Sequence, residues 1–518
     1  MKFKQFAVIL SFLLVQNINS QSQFINTNFG TNGYTCVNQP IGSYVFGDLI
    51  NVNDDFYAFT SFSNYSIIKF DTNGDIVPSF GTNGIRSLNL YSGGGELNDN
   101  SNSFIRKTPN NEFLMVVDNY SSVFPGNFIA KTDINGNLIN SFGVNGYVNN
   151  SFLSESIDFH SVEIINNEII LIGNNNSYTS SNPNKYIIII KLDLNGNLIS
   201  SFGNNGILKF NYNYLEYDTY FSVFDSNHNA VYTLFKKINS GNQHYITKFN
   251  LNNNSVDTNF GINGKLFIDN INNSSYYISP DVFCLDDYEN IYVSGSFNYN
   301  ASTLDYYMFT SKYNNTQQPD ATFGNQGMFL TKIESGNSSP KMYSIKKSLN
   351  EVTLTGTTYQ WGNYSFEKSF LLKLNDDGTL KQDFGLGGKI INYLFTSGNH
   401  PYKTIEQNGM FTIATNSRAC INDNKPTIIQ INSNNSLSIN DNSHSNDFIL
   451  SPNPVKDYMF CKGNEDVVKI EIIDIYGRIL KSIYINDNKV DLSEFKTGNY
   501  ILKLHTKSKI VNTMIIKE

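Results

Sequence analysis

The sequence is poor in charged residues and in cysteine. Asp, Glu, Lys and Arg make up only 16% of its 518 residues, the net charge is −8, and Lys and Arg do not cluster. Binding to a nucleic-acid backbone requires concentrated positive charge, so nucleic acid is excluded as a partner. The 4 cysteines are too few to scaffold so long a chain, and apolar packing must therefore hold the fold.

Long apolar runs are also scarce. The run Phe6–Val15 follows Lys2 and Lys4 and leads into polar residues that end with a small residue, Ser20. This pattern predicts a secretory signal peptide over residues 1–20, and the run is too short to span a bilayer. A buried strand or helix start is the alternative. No later segment is long and apolar enough to cross a membrane, so we predict no transmembrane segment in the mature protein.

Motifs for metals, cofactors and catalysis are missing as well. No cysteine pair has CxxC spacing, and no HxxxH or HxH pair occurs among the histidines, which are His160, His228, His244, His400, His444 and His505. No Ser/His/Asp constellation or phosphate-binding glycine loop stands out. The sequence therefore predicts no metal site, no cofactor and no catalytic residue.

The sequence does contain a phrase that returns seven times: Phe-Gly, a variable residue, a turn former, Gly, and a strand-like run. It first reads Phe29-Gly30-Thr31-Asn32-Gly33 and recurs about every 60 residues, with its Phe at Phe80, Phe142, Phe202, Phe260, Phe323 and Phe384. The closing Gly and the Asn before it tolerate a positive φ, so each phrase predicts a tight turn.

Each repeat contains four short runs of β-branched and aromatic residues bounded by Asn or Gly. In the third repeat these runs are Asn149–Phe152, His160–Ile165, Glu168–Gly173 and Tyr186–Leu194, which predict four antiparallel strands. Seven such units predict an all-β, seven-bladed β-propeller over residues 21–431. A β-solenoid would use shorter coils, and a string of sandwiches would need longer units.

An Asp-x-Asn-Gly sequence precedes several of the phrases, at residues 71–74, 133–136 and 193–196. It is similar to a fragment of a calcium-binding loop but lacks the further carboxylates and the closing Glu. We interpret it as a hairpin turn and keep calcium binding as the alternative.

The segment from Lys131 to Gly146, which contains both elements, resembles the delta-60 repeat family of predicted bacterial propellers. The similarity extends over residues 24–431. It implies the propeller architecture, and because its Phe and Gly residues are determinants of the fold, it implies no catalytic residues.

The two ends of the repeat region complement each other. The last repeat supplies Tyr402–Glu406, Met410–Thr415 and Thr427–Ile431 and is one strand short, whereas Asn26–Val37 is one strand in excess. We therefore predict that the N-terminal strand pairs with the last sheet and closes the ring.

That pairing would bring Cys36 near Cys420 and predicts a disulfide between them. In the chain-entropy model such a bond contributes on the order of 5 kcal/mol. Two unrelated thiols are the alternative. Cys284 is expected to be a buried side chain of an inner strand, and Cys461 has no obvious partner.

The C-terminal region has a different sequence pattern and lacks the Phe-Gly phrase. Residues 432–447 are polar and unpatterned, which indicates a linker, and residues 448–518 contain short alternating strands that predict a small β-sandwich. Its characteristic residues are Pro452-Asn453-Pro454, Gly477-Arg478, Gly498-Asn499-Tyr500 and the basic Lys517. Together they resemble the type A sorting domain of the type IX secretion system. The resemblance implies that this machinery exports the chain through the periplasm to the extracellular space or outer cell surface; a generic immunoglobulin-like binding domain is the alternative.

Loops of variable length are expected on one face of the propeller, and variable loops on a rigid scaffold often bind ligands. They hold aromatic residues that suit stacking on sugars or contact with proteins, namely Tyr120, Tyr178, Tyr299, Tyr359 and Trp361. Local packing of these rings is the alternative. Tyr359 and Trp361 are assigned to one such loop, Tyr359–Phe366.

Carboxylates lie in the blade-to-blade loops of the same face: Glu96, Asp99, Glu155, Asp158, Glu216 and Asp218. A convergent pair could serve glycoside cleavage, although solvated loop charges are the simpler interpretation. We expect a non-catalytic extracellular binding or adhesion protein with a glycan or protein partner. A polysaccharide hydrolase or lyase and a structural surface protein are the alternatives.

Overall fold

The structure, a computed structural model, is all-β. It describes residues 24–37, 45–61, 65–88, 103–117, 127–149, 157–175, 185–212, 217–237, 243–268, 277–299, 306–334, 338–360, 363–392, 401–417, 425–432, 448–452, 454–463, 467–473, 478–484, 489–506 and 510–518. Within these ranges there is no helix, and thus none that could span a membrane. The signal peptide predicted over residues 1–20 lies outside them. The chain divides into two compact units, Met1–Asn435 and Ser436–Glu518.

The strands of the first unit are numbered along the chain: β1 (Tyr34–Cys36), β2 (Val45–Val52), β3 (Asp55–Ser61), β4 (Ser66–Phe70), β5 (Ile85–Ser87), β6 (Ser103–Lys107), β7 (Phe113–Val117), β8 (Phe128–Thr132), β9 (Tyr147–Asn149), β10 (Ile157–Ile165), β11 (Glu168–Asn175), β12 (Lys185–Asp193), β13 (Ile207–Tyr212), β14 (Tyr217–Asp225), β15 (Ala230–Lys237), β16 (Tyr245–Asn250), β17 (Ser255–Val256), β18 (Leu266–Phe267), β19 (Tyr277–Leu285), β20 (Ile291–Asn298), β21 (Tyr306–Tyr313), β22 (Met328–Thr331), β23 (Ser338–Ser348), β24 (Glu351–Gln360), β25 (Asn363–Asn375), β26 (Lys389–Asn392), β27 (Pro401–Gln407), β28 (Met410–Ser417) and β29 (Lys425–Asn432).

These strands form antiparallel sheets that follow one another along the chain. Sheet 1 contains β2–β5, sheet 2 β6–β9, sheet 3 β10–β13, sheet 4 β14–β18, sheet 5 β19–β22, sheet 6 β23–β26, and sheet 7 β27–β29 together with β1. The runs of β-branched and aromatic residues therefore form the strands that their spacing predicts. In the third repeat, the strand after the phrase is Tyr147–Asn149 rather than Asn149–Phe152, and residues 150–156 lie outside the described ranges.

Each hydrophobic core combines side chains of two consecutive sheets. Ile170 of sheet 3 and Val231 of sheet 4 share one core, and equivalent cores join sheets 1 and 2, 2 and 3, 4 and 5, 5 and 6, and 6 and 7. Another core combines Phe46 of sheet 1 with Ala414 and Ile428 of sheet 7. Burial of one large apolar side chain contributes about 1.5–3 kcal/mol. The interfaces between sheets, here called seams, therefore hold much of the stability.

Sheet 7 contains strands from both ends of the repeat region. Strand β1 pairs antiparallel with β29, and Cys36 lies opposite Thr427. The strand exchange expected from the sequence is therefore present. Cys36 is disulfide-bonded, whereas Cys284 and Cys461 are free thiols. Cys420 lies outside the described residues.

The Phe-Gly phrase folds as the tight turn that its glycines predict. In sheet 2, Gly143, Asn145 and Gly146 have φ angles of 54°, 55° and 92°. The amide of Gly143 donates a hydrogen bond to the carbonyl of Asn195 in the Asp-x-Asn-Gly turn of sheet 3, at 2.9 Å. The phrase of one sheet thus attaches to the turn of the next.

The same contact joins sheet 7 to sheet 1. The Gly30 amide donates to the Asn73 carbonyl at 2.6 Å, and the ring of Phe29 packs so close to Gly74 that a Cβ there would overlap it. Because Gly30 belongs to the N-terminal segment that pairs with sheet 7, this seam has the same construction as the seam between sheets 2 and 3.

The first strands of consecutive sheets contact one another, and β27 contacts β2. Among the described residues, β2, β10, β14, β19, β23 and β27 each carry a β-bulge near the same level, which redirects side chains. Opposite the bulge of β10, a Cβ on Gly173 would lie 2.2 Å from the Asp158 carbonyl oxygen. Gly295 and Gly356 are crowded in the same way in sheets 5 and 6, so these positions require glycine.

The second unit contains β30 (Phe448–Ser451), β31 (Tyr458–Gly463), β32 (Val467–Ile473), β33 (Ile479–Tyr484), β34 (Lys489–Asp491), β35 (Gly498–Thr506) and β36 (Ile510–Lys517). They form two sheets, ordered β30-β31-β34 and β33-β32-β35-β36. Met459 of the first sheet and Ile470 and Leu502 of the second share one core. Two sheets around one core are the arrangement of a small β-sandwich.

Candidate functional site

Most of the aromatic residues predicted to bind a ligand lie outside the described residues, namely Tyr120, Tyr178 and Trp361. Tyr299 is described, directly after β20, and its side chain is 47% exposed. Its ring makes edge contacts with Phe297 and Tyr307, with centroid separations of 4.9 and 5.3 Å. Tyr299 is therefore an exposed ring that two neighbouring rings hold in place.

The prediction that Tyr359 lies in a long loop is wrong. Strand β24 extends through Gln360 and β25 begins at Asn363, and these two residues pair with each other. The threonine-rich stretch before Tyr359 favours a strand because β-branched side chains fit a pleated surface. Tyr359 is thus a strand residue next to a two-residue connection.

Polar side chains converge at the seam between sheets 3 and 4. His160 occupies the bulge of β10 and is buried. Its Nδ1 lies 3.0 Å from Ser222 Oγ of sheet 4, and its Nε2 lies 3.0 Å from Asn174 Oδ1 of β11. Burial lowers the pKa of His160 to about 4, so the ring is neutral near pH 7. Because Asn174 Oδ1 can only accept a hydrogen bond, we assign the proton of the neutral ring to Nε2, and Nδ1 can then accept from the Ser222 hydroxyl.

Two tyrosines and two aspartates lie around His160 and Asn174. Asn174 Nδ2 donates to the Tyr212 hydroxyl at 3.3 Å, and the Tyr220 hydroxyl donates to the Asp218 carboxylate. Burial raises the pKa of Tyr212, and the charges of Asp218 and Asp158 raise it further. Partial burial, the hydrogen bond to Asp218 and the same two charges raise the pKa of Tyr220. Both phenols therefore remain protonated donors at neutral pH.

We call this group the seam 3–4 cluster; its members are Asp158, His160, Asn174, Tyr212, Asp218 and Tyr220. The Tyr220 side chain is 58% exposed, whereas His160 and Asn174 are buried. The exposed end can therefore meet a ligand while the buried end holds the geometry. The cluster offers a ligand phenol donors, carboxylate acceptors and aromatic ring faces.

Two of the carboxylates predicted from sequence, Asp158 and Asp218, are in this cluster. The others lie outside the described residues, namely Glu96, Asp99, Glu155 and Glu216. Sequence reasoning missed His160 and Tyr212 because they come from different strands of one repeat and meet residues of the next. A usable signal was His160 itself, a titratable residue directly after Phe159 in the first strand of its sheet.

The residue that follows the bulge of β2, at the seam between sheets 1 and 2, presents different chemistry. The buried Asp48 carboxylate lies 2.5 Å from Arg106 Nη1 and 3.7 Å from Lys403 Nζ, and it accepts the Ile105 amide at 3.2 Å. Arg106 Nε in turn donates to the Val162 carbonyl at 2.9 Å. One carboxylate thus links sheets 7, 1 and 2, and Arg106 extends the link to sheet 3.

The Asp-x-Asn-Gly sequences are turns. The Asp133 carboxylate accepts the amides of Asn135 and Asn137 at 2.9 and 2.8 Å. Asp71 and Asp193 make the equivalent bonds. Because these carboxylates bind their own backbone, the interpretation as hairpin turns is confirmed.

One group of possible metal ligands occurs within the part of the chain that the structure describes. It consists of Asp225, His228 and Glu289, whose ligand atoms lie within 4.8 Å of one another. The sequence motifs predicted no metal site. Glu289 belongs to the next repeat, so local spacing could not reveal the group.

The sorting phrases have structural roles in the second unit. Pro452 and Pro454 are exposed, and the Val455 amide after them donates to the Ile516 carbonyl at 2.8 Å. Lys517 is buried at the end of β36. The proline phrase is thus attached to the last strand of the chain.

The remaining sorting residues lie on or beside the second sheet of this unit. Gly498 begins β35, and the Tyr500 ring packs edge-on against Phe495 with centroids 5.5 Å apart. The Tyr500 hydroxyl donates to the Lys496 carbonyl at 2.8 Å. Arg478 is exposed before β33. Two of the predicted residues lie outside the described ranges, Asn453 and Gly477.

Comparison with solved structures gives distant similarities. The polysaccharide lyase Uly1 matches with a TM-score of 0.43 and 8% identity, over 80% of this chain and 95% of the lyase. PorZ of Porphyromonas gingivalis, a surface component of the type-IX secretion system, matches with a TM-score of 0.28 and 9% identity, over 91% and 69%. Drosophila Semaphorin 2a matches with a TM-score of 0.30 and 9% identity, over 91% and 85%. At these scores the similarities assign no activity to this chain.

Comparison with curated proteins finds no matching sequence. Residues 450–518 match the family described as the secretion system C-terminal sorting domain. The match lies within the second unit and includes the proline phrase, Tyr500 and Lys517. The C-terminal unit is therefore a secretion sorting domain, and the chain is type IX secretion cargo that is exported to the cell surface or the extracellular space.

Proposed function

We propose that this exported chain is a non-catalytic binding protein in which a closed seven-bladed β-propeller binds an extracellular glycan through the seam 3–4 cluster. The observation that carries the proposal is the convergence of Asp158, Asp218, Tyr212 and Tyr220 at one seam, with an exposed rim and a buried support.

Closure of the ring is supported by the contacts between sheets 7 and 1. These sheets share a hydrophobic core, β27 contacts β2, and Asp48 lies near both Arg106 and Lys403. The Gly30–Asn73 hydrogen bond repeats the contact that joins other consecutive sheets. The resemblance of residues 24–431 to delta-60 repeats remains a prediction that agrees with this arrangement.

Cys420 is the partner that we propose for the disulfide of Cys36. The sequence has 4 cysteines, Cys36 is bonded, and Cys284 and Cys461 are free thiols. We expect a non-reducing peptide map of the secreted protein to contain a cross-linked peptide with both residues. Replacement of Cys36 by Ser should lower the free energy of unfolding by about 2–4 kcal/mol. Disulfide-linked dimers on non-reducing gels would contradict the intrachain bond.

A glycan is the ligand class that fits the groups of the cluster. Sugars present hydroxyls that both donate and accept hydrogen bonds, and their ring faces stack on aromatic side chains. The Tyr212 ring already packs edge-on against Phe235, with centroids 5.2 Å apart. Phenols that remain protonated and a carboxylate beside an exposed tyrosine would pair with such hydroxyls.

Binding is favoured over catalysis by the state of the titratable groups. Both nitrogens of His160 contact protein side chains, and the ring is buried, so it is poorly placed to take a proton from a substrate. The raised pKa values of Tyr212 and Tyr220 keep both phenols protonated at neutral pH, so neither is available as a general base.

A glycan-array screen of the full secreted chain tests the proposal. We expect specific retention, and Tyr220→Phe or Asp218→Asn should each weaken it about tenfold, because each removes a hydrogen bond to a charged or polar ligand group. Tyr288→Phe is the matched control, because Tyr288 is a 77% exposed tyrosine outside the cluster. If neither cluster variant changes the retention, the glycan binds at another site and the proposal is contradicted. No retention at high protein concentration would favour a structural surface protein.

A polysaccharide hydrolase or lyase is the second candidate, favoured by the nearness of two carboxylates to the same tyrosines. The glycan that the array identifies can be incubated with the protein and assayed for new reducing ends and for unsaturated products. We expect neither. Chain cleavage that is lost in Asp158→Asn or Asp218→Asn would establish the enzyme instead.

A further inference from the structure

The group Asp225, His228 and Glu289 lies at the seam between sheets 4 and 5, at the opposite end of β14 from Asp218. Asp225 ends β14 and His228 lies in the turn to β15, while Glu289 lies in the turn between β19 and β20. The His228 side chain is 41% exposed, so an ion can reach it from solvent.

The distance between the two repeats' side chains suits a shared ion. His228 Nε2 lies 3.6 Å from Glu289 Oε2, which is too long for a hydrogen bond. Nitrogen and oxygen ligands lie about 2.0–2.2 Å from Zn²⁺, and two tetrahedral ligands are then about 3.3 Å apart. A small movement would bring both atoms onto one ion.

Neighbouring groups orient both ligands. The His228 Nδ1 lies 2.7 Å from Asp225 Oδ2, and a carboxylate on that nitrogen fixes the ring so that Nε2 is the ligand atom. Asp225 Oδ1 in turn accepts the Asn227 amide at 2.9 Å. Tyr232 donates to Glu289 Oε1 at 2.6 Å, and Oε2 then faces His228.

A comparison of the sheets explains why Glu289 is present. In sheets 1, 2, 3 and 6, a lysine of the third strand forms an ion pair with a carboxylate of the same sheet. That carboxylate lies at the start of the second strand or just before it, and it belongs to Asp55, Glu112, Glu168 and Glu351, respectively. In sheet 4 that position is Ala230, and Lys248 pairs with Glu289 across the seam. The exchange brings a second carboxylate beside His228.

We propose that His228 and Glu289 bind a divalent transition metal, with Asp225 as the orienting carboxylate and water completing the coordination. Mixed imidazole and carboxylate donors fit Zn²⁺. The ion would clamp sheet 4 to sheet 5. The Lys248 ammonium competes for Glu289, so binding is expected to be weaker than at a closed structural zinc site.

Calorimetric titration of the EDTA-treated, dialysed secreted chain with ZnCl₂ tests the site. We expect one Zn²⁺ per chain at this position. His228→Gln should weaken binding at least tenfold, Glu289→Gln should do the same, and Asp225→Asn should weaken it about tenfold through the ring orientation. Glu168→Gln is the matched control, because it removes a carboxylate from an equivalent lysine pair that lacks a histidine.

Thermal unfolding with and without ZnCl₂ separates loss of the site from loss of the fold. Zinc should raise the melting temperature of the parent protein and of Glu168→Gln, but not that of His228→Gln. No bound zinc at millimolar concentration would overturn the proposal. Unchanged affinity in His228→Gln would also overturn it, because the zinc would then be bound elsewhere.

Discussion

The seams between sheets 1 and 2 and between sheets 3 and 4 place different side chains next to the bulge of a first strand. His160 is itself the bulged residue of β10, whereas Asp48 directly follows Gly47, the bulged residue of β2. In both strands a side chain at or directly after the bulge reaches the first strand of the next sheet. At the first seam, the Asp48 carboxylate contacts Arg106 and the Ile105 amide. At the second, the neutral His160 contacts Ser222.

This difference separates a supporting contact from the ligand site that we propose. The charges of Asp48 and Arg106 neutralise each other within the protein, so this seam offers little free charge to a ligand, and loss of either partner would leave the other charge uncompensated. At the other seam, His160 and Asn174 form an uncharged, buried pair, and Tyr220 of the same cluster remains exposed. The bulges redirect side chains towards the seams, and the residues there differ: a charged pair at the first seam, and at the second an uncharged buried pair beside the ligand site that we propose.

The largest expected effect concerns Asp48. Asp48→Ala leaves the Arg106 guanidinium partly buried without its partner, and we expect a loss of about 3–5 kcal/mol in the free energy of unfolding. Urea denaturation measures it. Asp55→Ala is the control: its pair with Lys69 is partly exposed, and about 0–1 kcal/mol is expected. Equal losses in the two variants would contradict the special role of Asp48.

The next effect is a pH dependence that arises at the His160 seam. His160 has a folded-state pKa of about 4 and an ordinary value of 6.5, so between these pH values the unfolded chain binds a proton that the folded chain does not. Stability should therefore fall as pH falls from about 6.5 to 4, by on the order of 3 kcal/mol for this residue. Above pH 6.5 the effect is absent.

The variant His160→Gln should flatten this slope in denaturation curves recorded from pH 7 to 4. His244, whose burial also lowers its pKa to about 4, should account for much of the slope that remains. A slope that His160→Gln does not change would show that His160 is not a neutral buried group.

The smallest expected effect on stability comes from replacing the crowded glycines beside two seams. Gly173→Ala places a Cβ 2.2 Å from the Asp158 carbonyl oxygen, and Gly356→Ala places one 2.5 Å from the Lys341 carbonyl oxygen. Both should cost about 1–3 kcal/mol of stability through overpacking. Only Gly173→Ala should also weaken glycan retention, because it displaces Asp158. Equal retention by the two variants would separate the cluster from binding.

Much of the architecture could be predicted because it depends on local rules. The Phe-Gly phrase predicts its turn because glycine and asparagine accept the positive φ found at Gly143 and Asn145. The runs between the turns predict four strands to a repeat. The surplus N-terminal strand and the deficient last repeat predict the pairing of β1 with β29.

The errors arose where pairing overrode local appearance. The sequence predicts a loop at Tyr359 and its neighbours, but the pairing of Gln360 with Asn363 extends both strands. The bulges were also invisible in sequence, although Gly173 and its equivalents mark them once the pairing is known.

Residue spacing by itself determined the repeat, the turns, the exchange of strands between the ends and the sorting phrases, because each depends on residues close in sequence or on a fixed period. Only the tertiary structure decided which polar groups meet: His160 with Ser222, and His228 with Glu289. Such partners lie about one repeat apart and come together only when neighbouring sheets pack. Their contact depends on bulges, seams and side-chain directions that no local pattern encodes.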